Sequence, residues 1–327
     1  MAAKKLKSTK KPTKKITKNK MPTDTPKNRK LKSPEYKSFK ISKKIKHPGA
    51  KLTGAIKLFV GSIRLIFSHK KIFIGIVTVY LVLTLIFVKG LGISSDLTEL
   101  KSTLQEVFSG GAGNLYAGAA LFSYLVGSSG SASSDIAGAY QTILLIIVSL
   151  AIIWALRQVH ADKKIRIRDA FYKGMYPLIP FMLVLLVIGL QLLPLLIANT
   201  VYGIVITNGL AITFLEKAIW LMLYGLFALL SLYLITSSVF ALYIVTLPDV
   251  SPMQALRSAR QLVRYRRWTI MRKFIFLPVA VLFIGAVIII PLIIYATPLA
   301  EWTFFALTML ALAVIHSYVY NLYRELL

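Results

Sequence analysis

The sequence contains no cysteine and few acidic residues, and both absences limit what the protein can be. Without cysteine the chain forms no disulfide, no thiolate metal site and no catalytic thiol. Only 12 residues are Asp or Glu, against 40 Lys and Arg, so the formal net charge is +28. Charged residues make up 16% of the 327 residues, whereas about 25% is usual in soluble domains. A water-soluble domain of this composition would expose large apolar patches, which excludes a simple cytosolic or secreted enzyme.

The sequence also lacks the motifs on which catalysis usually depends. It has no P-loop, HExxH, GxSxG or dinucleotide-binding fingerprint. Every acidic residue lies outside the long apolar segments. Asp249, which follows Pro248 at a turn, is expected to cap a helix rather than to bind a metal. We therefore predict a protein that is not an enzyme, with no catalytic residue, no cofactor and no metal site.

Residues 1–50 form a Lys-rich segment with 18 basic and 2 acidic residues. Apolar residues are sparse and prolines are frequent, so we predict a disordered cytoplasmic tail. The favoured role is to fix topology and to contact anionic membrane lipids. Two alternatives stay open, namely nucleic-acid or ribosome contact through phosphates and a role in solubility alone.

The rest of the chain, residues 51–327, is strongly apolar and is predicted to be a membrane domain. Hydrophobic residues make up 56% of the chain, and the mean hydropathy is +0.68. A bilayer core of about 30 Å needs about 20 apolar helical residues. Six segments satisfy or nearly satisfy this length, which predicts an all-α polytopic helical membrane protein. The predicted spans are 72–88, 140–156, 178–198, 218–245, 274–295 and 302–320.

Loop charges predict the orientation of these spans. The loops after the second and fourth spans are rich in Lys and Arg, whereas the alternate loops hold few positive charges. Positive loops remain in the cytoplasm, so both termini are expected to be cytoplasmic in a multi-pass protein of the cell membrane. The longest outer loop begins with residues 94–108, whose spacing predicts a short amphipathic helix. Residues 109–134 are expected to form a flexible loop by default, with a re-entrant or interfacial segment as the alternative.

A basic amphipathic stretch precedes each odd-numbered span, at residues 51–71, 165–176 and 251–268. Each stretch is followed by a span, an outer loop and a returning span. This order predicts three parallel pseudo-repeats, each an interfacial helix plus a helical hairpin. The apolar face expected in the first stretch comprises Leu52, Ile56, Phe59, Val60, Ile63 and Phe67.

The third stretch has a clear predicted helix start. Ser251 is suited to the N-cap, Pro252 to the first helical position and Gln254 to a capping box. After this start, two stripes follow at helical spacing. One stripe is Arg257, Arg260 and Arg264, and the other is Met253, Leu256 and Val263.

Two runs in the membrane domain carry a resemblance to a known family. The run Arg168-Asp169-Ala170-Phe171 with Gly174 precedes the third span, and Pro252 to Ser258 precedes the fifth. These runs resemble the six-helix membrane domain of some bacterial glycerophosphodiester phosphodiesterases and its stand-alone relatives of the YciC type. The long Lys-rich tail departs from that pattern. The resemblance implies a fold and a membrane setting, and it does not imply hydrolase activity.

Two sets of residues are candidates for function. Juxtamembrane cations bind anionic headgroups, although such cations also serve topology alone. An ionisable group inside a span is a second kind of candidate, and His316 with Gln191 forms a possible intramembrane polar site. The predicted function is lipid binding or scaffolding at the cytoplasmic leaflet; the alternative is a transporter or flippase for a lipid-like or small hydrophobic substrate. The predicted headgroup-binding residues are Arg257, Arg260, Arg264, Arg266, Arg267, Lys163, Lys164, Arg166 and Arg168.

Overall fold

The structure is a computed structural model that describes residues 52–88, 113–128, 135–163 and 165–327. In these ranges every regular element is an α-helix, and all of them belong to one compact unit. The predicted tail (1–50), the predicted amphipathic helix at 94–108 and Lys164 lie outside the described residues.

The described ranges contain short helices at the starts of the predicted units and long helices that follow them. In chain order they are α1 (Ala55–Ser68), α2 (Lys70–Phe87), α3 (Gly113–Ser128), α4 (Asp135–Val159), α5 (Ile167–Gly174), α6 (Leu178–Thr207), α7 (Phe214–Ile244), α8 (Pro252–Val263), α9 (Arg267–Tyr295) and α10 (Thr297–Leu326).

Six of the described helices are long and apolar enough to cross a membrane, namely α2, α4, α6, α7, α9 and α10. This confirms the predicted all-α polytopic fold. Most of these helices run past the predicted apolar segments: α6 continues to Thr207, and α9 begins at Arg267, seven residues before the predicted span. Polar residues at helix ends keep the helical conformation because their side chains reach solvent or packed neighbours beyond the apolar layer.

The contacts of the short helices follow one rule. Each short helix packs on the second long helix of the preceding unit: α5 packs on α4, and α8 packs on α7. The first short helix, α1, packs on α10, the last long helix of the chain. The first long helices obey the same rule, since α6 contacts α4, α9 contacts α7 and α2 contacts α10. The three predicted repeats therefore form a closed ring in which the first two helices of each unit pack on the last helix of the preceding unit.

Equivalent positions of the short helices are buried in this ring. The fourth and eighth residues of each helix are buried in all three units, and in α5 and α8 they are small. Small residues let two helices approach closely. At Gly174 the approach is tightest, since an added Cβ would lie 3.2 Å from both the Cα of Ala151 and the carbonyl oxygen of Leu150. The buried pairs are Leu58 and Ser62 in α1, Ala170 and Gly174 in α5, and Ala255 and Ala259 in α8.

The predicted apolar face of α1 is wrong in part. Phe59 is buried as expected, but Ile56 is 67% exposed and Phe67 is 60% exposed. The packed face instead contains Leu58, Ser62 and Ile66. The prediction failed because α1 has two apolar stripes and the predicted face followed the one that stays exposed, whereas the other stripe is buried against α10.

The expectation of a flexible loop is also wrong for residues 113–128. These residues form α3, which packs on α9. Its Leu121 and Leu125 join a buried cluster with Ile289, Ile293 and Ala300. The described part of α3 has 16 residues. It is a helix that packs on the end of α9 rather than an unstructured loop, and the alternative of a re-entrant or interfacial segment stays a prediction.

Candidate functional site at the basic end of the bundle

One end of the molecule gathers the short helices and the adjoining ends of the long helices, and we call it the basic end. It comprises α1, α5 and α8, the C-terminal ends of α4, α7 and α10, and the N-terminal end of α9. Side-chain hydrogen bonds join α1, α9, α10 and the ends of α4 and α7, as described below, whereas α5 and α8 pack on α4 and α7.

The start of α8 forms as the sequence predicts. Ser251 is the N-cap, its hydroxyl accepts from the Gln254 backbone N–H, and the Gln254 side chain accepts from the Ser251 N–H. Pro252 occupies the first turn. The prediction that Asp249 caps this helix is wrong, because Ser251 does so. Asp249 lies two residues earlier, in a turn with φ of 60°.

The exposed face of α8 is the predicted arginine stripe. Arg257, Arg260 and Arg264 are exposed, whereas Leu256 and Val263 are buried. Met253, expected to lie on the apolar stripe, is 61% exposed. The other described residues of the predicted headgroup set are also accessible. Lys163, Arg166 and Arg168 are exposed, and Arg266 and Arg267 are partly exposed.

Large aromatic side chains accompany these cations in every unit. Phe67 lies in the last turn of α1, and Tyr172 and Tyr176 lie in and just after α5. Tyr265 lies between α8 and α9, and Trp268 lies at the start of α9. All five are more than half exposed. Tyr and Trp rings, which make up four of the five, are enriched at the boundary between the membrane and water. The basic end thus carries cations and boundary-type aromatics on the same short elements.

Two arginines of this region contact aromatic rings. The Arg267 guanidinium lies 4.6 Å from the centroid of the Tyr233 ring on α7. The Arg264 guanidinium lies 5.6 Å from the centroid of the neighbouring Tyr265 ring. Cations at these distances are attracted by the ring quadrupole. The first contact also links the start of α9 to α7.

Arg157 is an important residue that sequence reasoning assigned to a loop. The structure places it inside α4, buried at 7% exposure. Its guanidinium donates to the carbonyl oxygens of Thr246 (2.8 Å) and Tyr243 (3.2 Å) and to the Thr246 hydroxyl. The last carbonyls of a helix lack intrahelical partners and carry partial negative charge. Arg157 therefore caps the C-terminal end of α7 from a neighbouring unit.

A second polar chain joins α4, α10 and α1. His160, just past the end of α4, lies 3.2 Å from the Asn321 side-chain oxygen through its Nε2. The Asn321 amide nitrogen donates to the Ser62 hydroxyl at 3.0 Å. Burial lowers the pKa of His160 below its ordinary value, and the positive charges of Arg324 and His69 act in the same direction. These hydrogen bonds hold α1 against α10.

His316 is engaged by a neighbouring helix. Its Nδ1 shares a hydrogen bond of 3.0 Å with the Tyr243 hydroxyl on α7. Tyr243 is itself almost completely buried and packs against Tyr320 and Tyr323. The imidazole of His316 is thus bonded to a tyrosine across a helix interface.

Gln191, the other residue of the predicted intramembrane site, lies elsewhere. It is on α6, three residues before Pro194. Its side-chain oxygen is buried, and no hydrogen-bond partner for it exists among the described residues. One turn further, the Leu195 N–H donates to the Ser231 hydroxyl on α7. Among the described residues, no hydrogen bond links His316 to Gln191, so the two residues do not form one hydrogen-bonded site.

Lys273 is a second cation whose position was not predicted. The sequence places it in a charged loop, but it lies in α9 and is 5% exposed. Its ammonium is 3.5 Å from a carboxylate oxygen of Glu325 on α10. Tyr318 also donates to the Lys273 carbonyl oxygen at 3.3 Å. Lys273 thus ties α9 to α10 and is not available to a ligand in water.

Among the described residues, no group of three His, Cys, Asp or Glu side chains could hold a metal ion. Comparison with protein-family models, with curated proteins and with solved structures finds no match for this chain. The resemblance to the membrane domain of the phosphodiesterases therefore stays a prediction. The site therefore consists of exposed cations and aromatic side chains next to a buried, hydrogen-bonded core.

Proposed function

We propose that this integral membrane protein binds anionic lipid headgroups at the cytoplasmic leaflet of the cell membrane through its basic end. The observation that carries the proposal is the coincidence of exposed cations and exposed aromatics in all three units. Cations next to a membrane surface attract anionic lipids by about 1 kcal/mol each. Aromatic side chains at the boundary between membrane and water fix how deeply such a surface lies in the bilayer.

The uncovered apolar stripe of α1 supports the same function. Ile56 and Phe67 are mostly exposed, and Val60 is 49% exposed. Lys57 and Arg64 are exposed on the same helix. A helix with an apolar stripe and a basic stripe lies in the interface between headgroups and acyl chains. This location would place the cations of the basic end at headgroup level.

The proposed orientation follows from charge. The basic end holds the Lys- and Arg-rich connections, and such connections stay on the cytoplasmic side. In this orientation both termini are cytoplasmic, and the 1–50 tail adds further positive charge near the same leaflet. We propose a binding or scaffolding role without catalysis; a protein partner that co-purifies with the chain would favour scaffolding.

Transport is the second candidate, and one observation favours it. The buried side-chain oxygen of Gln191 lacks a partner in the described chain and lies one turn before Pro194. A proline removes one helix hydrogen bond, and broken helices line substrate sites in transporters. Flux of a lipid-like fluorophore in proteoliposomes, lost in Gln191→Leu but retained in His316→Gln, would support transport. Absence of flux in the unchanged protein would contradict it.

Native mass spectrometry of the full chain in a neutral detergent tests lipid binding. The comparison is between the unchanged protein and Arg257→Gln/Arg260→Gln/Arg264→Gln, after addition of phosphatidylglycerol or phosphatidylcholine. We expect phosphatidylglycerol to bind the unchanged protein and to bind the variant at least about tenfold more weakly. Lys217→Gln, an exposed cation on the first turns of α7 at the other end of the molecule, is the matched control. Equal lipid binding by all three proteins would contradict the proposal.

A further inference from the structure

The three short helices differ in the kind of cation that they expose. In α8 and the residues that follow it, 251–272, all six cations are arginines and no residue is acidic. By contrast, α1 exposes Lys57 with Arg64, and α5 combines Arg168 and Lys173 with Asp169. Arginine presents a planar fork that fits two phosphate oxygens at once, whereas lysine acts as a point charge. The unit that starts with α8 is therefore chemically distinct from the other two.

The arginine stripe of α8 is held on a fixed support. Arg257, Arg260 and Arg264 are exposed at spacings of three and four residues, so the stripe is about 10 Å long. The opposite face of α8 is buried against α7, with Ala255 and Ala259 completely inaccessible. The capping box fixes the start of the helix. A rigid helix loses little freedom when its side chains bind a ligand.

The arginine stripe also has a defined depth. Tyr265 and Trp268 follow it directly and are 64% and 69% exposed. Arg264 lies 5.6 Å from the Tyr265 ring, which limits the conformations of that guanidinium. Among the described residues, neither Arg257 nor Arg260 forms an ion pair, so both forks are available to an anion.

We propose that α8 is a phosphate-binding site that prefers a lipid headgroup with two phosphates over a headgroup with one phosphate. The inference rests on the proposed function, since it specifies the lipid that the basic end binds. One guanidinium fork fits two oxygens of one phosphate, so a headgroup with two phosphates offers bidentate partners to two arginines of the stripe at once. Shape as well as charge then determines the preference.

The test compares cardiolipin, which has two phosphodiesters, with phosphatidylglycerol, which has one phosphodiester of the same chemistry. Native mass spectrometry of the full chain would give the dissociation constants for both lipids. The key variant is Arg257→Lys/Arg260→Lys/Arg264→Lys, which keeps the charge and removes the forks. We expect the unchanged protein to prefer cardiolipin and the lysine variant to lose about fivefold of that preference. Arg166→Lys/Arg168→Lys on α5 is the matched control and should keep it.

The outcomes separate this inference from the proposed function. If the lysine variant keeps the full cardiolipin preference, charge alone determines binding and the inference is overturned, although lipid binding stands. The inference also fails if the unchanged protein binds both lipids equally. If Arg257→Gln/Arg260→Gln/Arg264→Gln binds both lipids as the unchanged protein does, the proposed function fails as well. Because all three side chains are exposed, unfolding temperatures should agree, and Arg260→Lys alone serves if a triple variant does not fold.

Discussion

The helices α4 and α7 occupy the same place in their units and have almost the same hydropathy, but their surroundings differ. Half of the most apolar stretch of α4 is buried inside the molecule, against 6% for α7. The first buried residue of α7 is Ser231, and the others lie between Thr236 and Ile244. By contrast, α4 is buried along most of its second half. The helix α4 is central, whereas α7 pairs with α6 from as early as Tyr224 and is buried by other helices mainly near its C-terminal end.

The difference shows what hydropathy measures in a membrane protein. Hydropathy indicates whether a helix can lie in the bilayer, because lipid and protein interiors are equally apolar. It does not distinguish the central helix from the peripheral one. The feature that sets α4 apart is the buried Arg157 near its C-terminal end. Arg157 also links the two helices, so its replacement tests most directly how α4 supports the end of α7.

Replacement of Arg157 by Met should have the largest effect. The change removes the donor to the Thr246 carbonyl oxygen and one of the two donors to the Tyr243 carbonyl oxygen, which keeps its bond from the Thr246 hydroxyl. An unsatisfied buried acceptor costs roughly 1–3 kcal/mol, and the loss of bonds from a charged donor adds to it, so we expect about 3 kcal/mol of destabilisation. Thermal unfolding in detergent would measure it. Arg272→Met, which removes an exposed cation, is the control; equal unfolding temperatures for the two variants would contradict the role of Arg157 as a cap.

Gly174→Ala should have the next largest effect, because it tests the packing of α5 on the central helix. The new Cβ would lie 3.2 Å from backbone atoms of Leu150 and Ala151, which have little room to move. Overpacking of this kind costs about 1–3 kcal/mol. Gly189→Ala on α6 is the matched control, because nothing lies within 4 Å of its added Cβ. A similar loss of stability in both variants would show that the close contact at Gly174 does not determine the effect.

Tyr243→Phe should have a smaller effect. The variant keeps the aromatic packing of Tyr243 and removes its hydrogen bond to His316. A typical hydrogen bond contributes about 1 kcal/mol, so the unfolding temperature should fall by a few degrees. His316→Phe with Tyr243→Phe should then be less destabilising than the sum of the single changes. Additive effects would indicate that the two side chains act independently.

A pH change should have the smallest effect. Since burial lowers the pKa of His160 below 6.5, the folded protein binds a proton there less readily than the unfolded chain does. Stability is therefore greatest above pH 6.5 and decreases as the pH falls below that value. Unfolding temperatures at pH 7.5 and 5.5 would measure the decrease. In His160→Gln the decrease should be smaller; an identical pH dependence would assign the effect to other groups.

The sequence predicts the six-span architecture well because spans depend on local composition. The start of α8 was equally predictable, since Ser251, Pro252 and Gln254 act on the helix that they begin. The ring contacts were only partly predictable. Internal order indicated three repeats, but nothing local shows that α1 closes the ring on α10, more than 250 residues away.

The functions of individual cations were not predictable. Arg157 and Lys273 look like loop charges in the sequence, but one caps α7 and the other pairs with Glu325. Their partners lie 89 and 52 residues away, and a cation in sequence looks the same whether it faces water or a distant carbonyl. The packed face of α1 was misjudged for a related reason, because both of its stripes are apolar and only the contact with α10 selects one.

The measurement that tests the account most directly is a disulfide between α1 and α10. The chain has no cysteine, so Ser62→Cys with Ser317→Cys introduces the only pair. The Ser317 hydroxyl donates to the Ser62 carbonyl oxygen at 3.3 Å, and both residues are completely buried. A protease site inserted at Gly209 would separate the two halves, and Ser62→Cys with Ser231→Cys, a buried residue of α7 that contacts α6, is the control pair with one cysteine in each half. The closed ring predicts that oxidation in native membranes joins the halves through the first pair only. Halves that separate in the first pair, or that join equally in the control, would contradict it.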